Sequence, residues 1–273
     1  MTTDQENDAA VLRLRNIWGA ARRLRQVWQD GVLCAPVRDL IGLEDIEAAY
    51  AVQSLNTAQW QAEGRHLIGR KIGATSQAIQ EMMGVDYPDF GMRFMDMQIE
   101  NGATVPVSNL HQPFVEAEMA VVLKYDLNKP ETTLDDITEA IDYVLPAIEI
   151  IGSRVEGWDL KMPDTIADNA SSSHFVIGST PVGVEDVDLF GAATTTYKNS
   201  EIVSQGTAEL CLGSPLFSLI WLATEARRQG KPLKAGELIL TGAMGPIVPV
   251  EALDEIYVQI DGLEDLIVCF GAD

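Results

Sequence analysis

The segment PFVEAEMAVVL, residues 113–123, places Glu116 and Glu118 inside an otherwise apolar run. Such a run predicts a buried strand. Because side chains alternate along a strand, the two glutamates point the same way, about 7 Å apart. Buried carboxylates are costly unless one is protonated or a cation lies between them. The segment therefore predicts either a site for a hard cation such as Mg²⁺ or an exposed strand whose acids meet Lys and Arg.

A third acid occurs in a second apolar strand. Glu149 lies in PAIEIIGSRV, residues 146–155, between Ile148 and Ile150. The intervening stretch TLDDITEAIDYV, residues 133–144, predicts a helix with Thr133 as its N-cap, which would join the two strands. Three isolated glutamates in two apolar strands are more typical of a carboxylate metal site than of three surface acids.

Two further candidates carry proton-transfer groups. In HLIGRKIGATS, a predicted strand, Arg70 and Lys71 face opposite ways, so one of the two basic side chains points inward. Lys71 is then either an acid–base group or half of a surface salt bridge. Asp89, in VDYPDFGMRF, falls in a predicted loop containing Pro and Gly, where an aspartate is usually a turn residue.

The segment KMPDTIADNASSSH, residues 161–174, shows turn chemistry without periodicity and predicts a long loop. Asn169 and Ser171 offer neutral hydrogen bonds that would suit a substrate carboxylate, although the same residues are also common in turns. The loop is a candidate binding element.

The distribution of elements favours an α+β fold. Residues 8–30 and about 43–63 predict amphipathic helices that end at Gly31 and Gly64, and strands dominate the remainder. We therefore predict a helical region over 1–64 and a strand-rich catalytic domain over 65–273. The arginine-rich helix 8–30 is either a membrane or partner surface or a packing helix with a solvated arginine face.

Composition limits the class of protein. The 273 residues are 47% hydrophobic and carry a net charge of -22, which argues against nucleic acid and anionic membranes as partners. A small anionic ligand would need a local positive centre. Three scattered cysteines, an acidic N-terminus and no apolar run of about 20 residues predict a soluble protein of the reducing cytoplasm.

Taken together, these motifs resemble a known family. GRKIGATS, VDYPDFG, VEAEMAVVL, LPAIEIIGSR, DTIADNASS and LKAGELILTGAMGPIVPV occur in the order typical of 2-hydroxypenta-2,4-dienoate (2-keto-4-pentenoate) hydratases, within the fumarylacetoacetate hydrolase superfamily. The resemblance runs from about Leu33 to the C-terminus. It implies a strand-rich body of several sheet layers behind a small helical N-terminal region, and a homo-oligomer.

The resemblance also implies site roles. A Mg²⁺ or Mn²⁺ site falls on Glu116, Glu118 and Glu149. Acid–base catalysis falls on Lys71 and Asp89, and binding of a small anionic substrate falls on Ser171 with Asn169. The implied reaction adds water to a 2-hydroxy-2,4-dienoate to give a 4-hydroxy-2-oxo acid, in the meta-cleavage degradation of aromatic compounds. Contact with the next enzyme of such a pathway is a further prediction.

Two positions depart from the family pattern, and two other functions stay open. Ser214 in CLGSP stands where many relatives carry His, and Ala74 stands where Leu is frequent. A 2-oxo-3-hexenedioate (4-oxalocrotonate) decarboxylase shares the scaffold. Because its substrate has two carboxylates, it would need a second basic group in the pocket. A catalytically idle binding homologue would lack metal ligands or Lys71, all of which are present.

Overall fold

A computed structural model describes the backbone of residues 2–272 and the side chains of residues 7–272. The helices are α1 Thr2–Asp30, α2 Arg38–Ile41, α3 Ile46–Ala62, α4 Gln77–Met83, α5 Leu134–Ala140, α6 Met162–Ala167 and α7 Pro215–Arg228. The strands are β1 Leu67–Gly73, β2 Asp89–Phe94, β3 Gln98–Ile99, β4 Thr104–Pro106, β5 Phe114–Leu123, β6 Ile141–Ile151, β7 Ser172–Ile177, β8 Ala193–Lys198, β9 Glu201–Thr207, β10 Leu238–Ala243, β11 Val248–Pro249, β12 Glu255–Ile260 and β13 Leu266–Gly271.

The strands form two mixed sheets. The larger has the order β2-β1-β10-β5-β6-β7-β3, with β11 paired to the end of β5, and the smaller has the order β4-β13-β12-β8-β9. β1 and β10 run parallel, whereas β10, β5, β6 and β7 are antiparallel neighbours. Mixed sheets with helices that do not alternate with strands confirm the α+β prediction.

The larger sheet is strongly curled. β2 and β6 are four strand spacings apart, about 19 Å in a flat sheet. Nevertheless Arg93 of β2 contacts Glu149 of β6, and Nζ of Lys71 on β1 lies 3.5 Å from the same carboxylate. Side chains from distant strands therefore converge on one concave interior.

The N-terminal helices pack directly on the strand-rich body. The side-chain amide of Gln53 on α3 donates to the carbonyls of Phe90 on β2, at 2.8 Å, and Ile166 on α6, at 3.1 Å. Arg38 of α2 binds the buried carboxylate of Asp164 on α6. The helical region thus supports the elements behind the interior. Among the described residues, no helix is both long and apolar enough to cross a bilayer.

The structure corrects three predictions of local structure and adds one strand. The predicted helix 133–144 ends at Ala140, because the following IDYV is rich in β-branched and aromatic residues and continues into β6. The predicted loop 161–174 contains α6, a helix too short to show periodicity. Asp89 begins strand β2 instead of lying in a loop. The threonine-rich strand β8 was not predicted.

Candidate active site

The three predicted glutamates come together. Glu116 and Glu149 are direct partners in the β5–β6 register, and Glu118 follows on the same face of β5. One carboxylate oxygen from each residue lies within 4.8 Å of the others, with Glu118 and Glu149 fully buried and Glu116 half-buried. Oε1 of Glu118 and Oε2 of Glu149 are buried without any hydrogen-bond partner. Oxygen ligands with unsatisfied lone pairs at this spacing fit a hard divalent cation.

Electrostatics support the same interpretation. Burial and the neighbouring Glu149 raise the pKa of Glu116 to about 7. Burial, Glu149 and Glu116 raise the pKa of Glu118 well above its usual range. Burial and mutual repulsion favour the neutral form of these two side chains. A divalent cation bound among them would instead favour the ionised carboxylates.

A bulge on β10 orients Glu118. The β10–β5 register shifts between Leu240 and Ala243, and the N–H of Gly242 donates to Oε2 of Glu118 at 2.8 Å. Gly242 has φ +113, and a Cβ there would lie 2.5 Å from the side chain of Thr75. Only glycine therefore fits this position, which aims a backbone donor at one carboxylate oxygen and leaves the other free.

Two buried cations face the glutamates. Lys71 is 4% exposed, and the guanidinium of Arg93 contacts Oε1 of Glu149 with no exposed surface. Burial opposes the charge on Lys71, but Glu149, Asp89 and Glu116 outweigh it, so the pKa of Lys71 is raised. Lys71 is thus held as an ammonium beside the carboxylates. Arg70, on the opposite face of β1, is also buried and pairs with Glu237.

Asp89 lies close to Lys71. A Cβ at Gly73 would be 2.3 Å from Oδ1 of Asp89 and 3.1 Å from Nζ of Lys71, so the absence of a side chain at Gly73 makes room for both groups. The hydroxyl of Thr165 on α6 donates to Oδ2 of Asp89 at 3.2 Å and lies 3.3 Å from the hydroxyl of Ser171. Burial raises the pKa of Asp89, although Lys71 and Thr165 lower it in part.

The segment after α6 is a left-handed turn. Asn169, Ala170 and Ser171 have φ values of 58°, 53° and 52°. The amide of Asn169 pairs with both backbone groups of Met92 on β2, at 2.7 and 3.0 Å. Asn169, which was predicted to bind substrate, does not line the cavity described next and instead fixes the turn that presents Ser171 to it.

A cavity of about 290 Å³ opens onto this group. Its polar wall carries Lys71, Asp89, Glu116, Thr165 and Ser171, and Ala74 also lines it. The remainder is mainly apolar, with the large side chains Ile79, Met82, Met83, Phe114, Ile151, Trp158, Leu160 and Ile247. Among the described residues that line the cavity, Lys71 alone has a basic side chain. The cavity therefore suits a small anion with an apolar tail.

Sequence reasoning missed Arg93, Thr165 and Gly242. Arg93 shares a face of β2 with Asp89, a signal that was available only once GMRF was read as a strand. Thr165 was hidden in the segment predicted as a loop. Ser214, one of the two positions that depart from the family pattern, caps α7 by accepting from the N–H of Leu216 at 3.2 Å and does not line the cavity.

The sequence is similar to a known enzyme family and to characterised members of it. Residues 66–270 match the fumarylacetoacetate (FAA) hydrolase C-terminal family. The chain is 49% identical over 252 residues to 2-keto-4-pentenoate hydratase 1 of Dechloromonas aromatica (strain RCB), covering 92% of this chain and 96% of the relative. It is 46% identical over 244 residues to 2-keto-4-pentenoate hydratase of Paraburkholderia xenovorans (strain LB400), covering 89% and 91%.

A solved structure is similar over nearly the whole chain. 4-Oxalocrotonate decarboxylase of Pseudomonas putida G7, complexed with magnesium and adipate, superposes with a TM-score of 0.91 at 33% identity, covering 94% of this chain and 97% of that one. A curled sheet that gathers carboxylates beside a small cavity is the architecture of an enzyme, and its three glutamates could hold a cation. The chain belongs to the fumarylacetoacetate hydrolase family.

Proposed function

We propose that the protein is a metal-dependent hydratase that converts 2-hydroxypenta-2,4-dienoate, or a close analogue, to a 4-hydroxy-2-oxo acid. The observation that carries the proposal is the three-glutamate cluster beside a cavity that offers one basic group and an apolar end. The similarity to hydratases at 46–49% identity over nine-tenths of the chain supports the same reaction.

Glu116, Glu118 and Glu149 would hold Mg²⁺ or Mn²⁺. When bound, the cation would supply the positive charge that a substrate carboxylate and 2-oxygen need on a chain of net charge -22. The bound magnesium of the decarboxylase relative supports the choice of a hard divalent ion.

The remaining groups of this chain hold and move protons. In the net reaction the proton of the 2-hydroxyl leaves while C5 gains one, and then the oxygen of water bonds to C4 while C3 takes the water's second proton. Asp89, a buried carboxylate with a raised pKa, is placed to accept a proton, and the Lys71 ammonium is placed to donate one. Ser171 offers its hydroxyl to the substrate carboxylate.

The far end of the cavity favours the hydratase over the decarboxylase. The 4-oxalocrotonate substrate carries a second carboxylate, and the described lining offers it no basic side chain besides Lys71, only large apolar ones such as Met83, Trp158 and Leu160. Burying an unpaired carboxylate among such side chains is costly. The decarboxylase nevertheless remains the second candidate, since the solved decarboxylase shares this fold at a TM-score of 0.91.

A paired assay separates the two functions. Purified protein with Mg²⁺ or Mn²⁺ would be given 2-hydroxypenta-2,4-dienoate and 2-oxo-3-hexenedioate in parallel, with product formation and CO₂ release both measured. We expect hydration of the monoacid and little CO₂ from the diacid. Preferential CO₂ release would establish the decarboxylase, and no turnover of either compound together with no metal binding would indicate an idle homologue.

The proposed activity also implies a location and partners for the protein. We expect the enzyme to act in the cytoplasm, to self-associate and to pass its product to an enzyme that consumes 4-hydroxy-2-oxo acids. We also keep the division at residue 64 as a prediction. Limited proteolysis would test that division, since a separable domain would give a stable fragment that begins near residue 65.

A further inference from the structure

An apolar pair of side chains lies beyond the glutamates on the same two strands. Phe114 lies two residues before Glu116 on β5. Ile151 lies two residues after Glu149 on β6, and it is the direct register partner of Phe114. Because alternate residues share a face of a sheet, this pair lies on the face of the glutamates, about 7 Å further along the strands. The apolar end of the cavity therefore lies past Glu116, on the side away from Glu118.

Trp158 completes this apolar end. Its ring meets the ring of Phe114 edge to face, with the centroids 5.2 Å apart and an interplanar angle of 90°. This is a favoured geometry for two aromatic rings. Trp158 is half-buried and lines the cavity, as Phe114 and Ile151 do. The indole, the phenyl ring and the isoleucine side chain together form an apolar wall.

The backbone of Trp158 has an unusual conformation. Its φ is 56°, in the left-handed region that bulky residues rarely adopt. Gly157 before it has φ 63°, and the N–H of Leu160 donates to the carbonyl of Trp158 at 2.7 Å in a tight turn. Such conformations persist only where surrounding contacts hold them, and they concentrate at functional sites. The position of the indole is therefore imposed by its surroundings.

Gln112 supplies the contacts that hold this loop. Its carbonyl accepts from Nε1 of Trp158 at 3.1 Å, and its Oε1 accepts from the N–H of Gly157 at 2.8 Å. Its Nε2 donates to the carbonyls of Ser153, at 3.1 Å, and Val155, at 2.8 Å. Gln112 itself does not line the cavity. One residue outside the cavity thus fixes both the ring of Trp158 and the loop that carries it.

We propose that Trp158 determines how long the apolar end of the substrate can be, and that Gln112 is the residue that positions Trp158 for this role. The inference rests on the function proposed above, with the substrate carboxylate and 2-oxygen at the glutamates. At about 1.5 Å per carbon–carbon bond, an extended five-carbon chain is about 5 Å long. C5 then ends just short of a wall about 7 Å away.

The substrate class follows from this spacing. A chain with several further carbons must displace the wall, and forcing extra methylenes into a packed site is costly. The substrates are therefore 2-hydroxy-2,4-dienoates with no substituent, or only a small one, at C5. Longer alkyl chains at C5 are excluded by Trp158.

Calorimetric titration of the Mg²⁺-loaded protein with saturated 2-oxo acids tests this limit without turnover. 2-Oxopentanoate and 2-oxooctanoate share the carboxylate and the 2-oxygen and differ by three methylenes. We expect the original protein to bind the shorter acid at least about tenfold more tightly. In Trp158→Ala the two affinities should come within about threefold of each other or reverse. Trp18→Ala, at a 56% exposed position on α1 outside the cavity, is the matched control and should keep the preference.

Two further variants separate the wall from the residue that holds it. Gln112→Ala removes the side-chain hydrogen bonds to Ser153, Val155 and Gly157 but no atom of the cavity lining. It should reduce the preference by about threefold or more. Trp158→Phe keeps an aromatic ring without the Nε1 donor and should give an intermediate preference. A change that only destabilises the protein would weaken both acids alike, so the ratio of affinities reports on the wall.

Hydration of 2-hydroxypenta-2,4-dienoate and 2-hydroxyocta-2,4-dienoate gives a second measurement, in which the ratio of kcat/KM values should follow the ratio of affinities. Circular dichroism would show which variants are folded, and Gln112→Ala and Trp158→Phe carry the test if Trp158→Ala is not. Equal binding of the two acids by the original protein, no binding of either, or a preference unchanged in the folded variants would overturn the proposal. A binding preference that depends on Trp158 without any hydration would overturn the proposed reaction and leave this assignment standing.

Discussion

The guanidinium of Arg93 contacts the carboxylate of Glu149, and neither side chain has any exposed surface. The two residues come from β2 and β6, at separate places in the curled sheet. Their contact, with Lys71 3.5 Å from the same carboxylate, gives Glu149 two positive neighbours and leaves its Oε2 without a partner. When the four acids of the site, Glu116, Glu118, Glu149 and Asp89, are all ionised, they exceed the charge of Lys71 and Arg93 by two, which a divalent ion would balance.

Replacing Arg93 should destabilise the protein and make its stability depend more strongly on Mg²⁺. In Arg93→Met without metal, the Glu149 carboxylate loses its main buried partner, and we expect about 3 kcal/mol of destabilisation. Mg²⁺ should then raise the unfolding temperature of the variant by more than that of the original protein, since the carboxylate gains a replacement cation. Arg228→Met, which breaks an exposed pair with Glu225, is the control and should cost under about 1 kcal/mol. Equal effects of the two substitutions would contradict this account.

Gly73 should be intolerant of a methyl group. In Gly73→Ala the Cβ would meet Oδ1 of Asp89 at 2.3 Å, so the carboxylate or the Lys71 ammonium must move. We expect kcat to fall by about 100-fold, with a loss of stability of about 1 to 3 kcal/mol from overpacking. Gly19→Ala, where the nearest atom would lie 3.6 Å away on Leu40, should keep full activity. Unchanged kcat in Gly73→Ala would remove Asp89 and Lys71 from the chemistry.

A cation installed at the far end should change substrate preference. Met83 is one of the apolar residues that line the cavity, so Met83→Arg would add a second basic group that could pair with the second carboxylate of a diacid. We expect the ratio of kcat/KM for the diacid to that for the monoacid to rise by at least about tenfold. Met95→Arg, at an exposed position outside the cavity, is the matched control. No change in the ratio would show that substrate does not reach Met83.

His174 should make stability depend on pH. Burial and the nearby Arg93 lower the pKa of His174 from 6.5 to about 4. The unfolded chain therefore binds the proton more readily than the folded one, so this part of the stability is present above pH 6.5 and is lost as the pH falls toward 4.

The size of the His174 effect is about 2 to 3 kcal/mol over that pH range. Urea unfolding of the original protein and of His174→Gln between pH 4 and 7 would measure it. The difference between the two unfolding free energies should change across the range, because the carboxylates contribute equally to both proteins. A constant difference would mean that His174 is not buried as the neutral form.

The glutamates were predictable from sequence because strand periodicity makes a buried acid conspicuous. Glu116, Glu118 and Glu149 each interrupt an apolar run, and their joint position on neighbouring strands followed from the short helical connection between them. Strand alternation also indicated Lys71, because one of the two adjacent basic side chains, Arg70 or Lys71, had to point inward. The predicted helix was wrongly extended through Tyr143 and Val144, which favour a strand and belong to β6.

The contributions of Arg93, Thr165 and Gly242 depend on tertiary geometry. Arg93 meets Glu149 only because the sheet curls, and curling is not visible in local periodicity. Thr165 reaches Asp89 from a six-residue helix, which is too short for a periodic signal. The donor at Gly242 arises from a bulge between β10 and β5, a pairing feature that joins residues 124 positions apart.

The most direct test of the central claim is the rate of 2-hydroxypenta-2,4-dienoate hydration as Mg²⁺ is titrated into metal-stripped protein, compared with Glu118→Gln. The matched control is Glu209→Gln, which changes an exposed glutamate. We predict that the original protein and the control gain activity in a saturable manner and that Glu118→Gln stays folded but gains almost none. Full activity without metal, or equal activation of Glu118→Gln, would contradict the account.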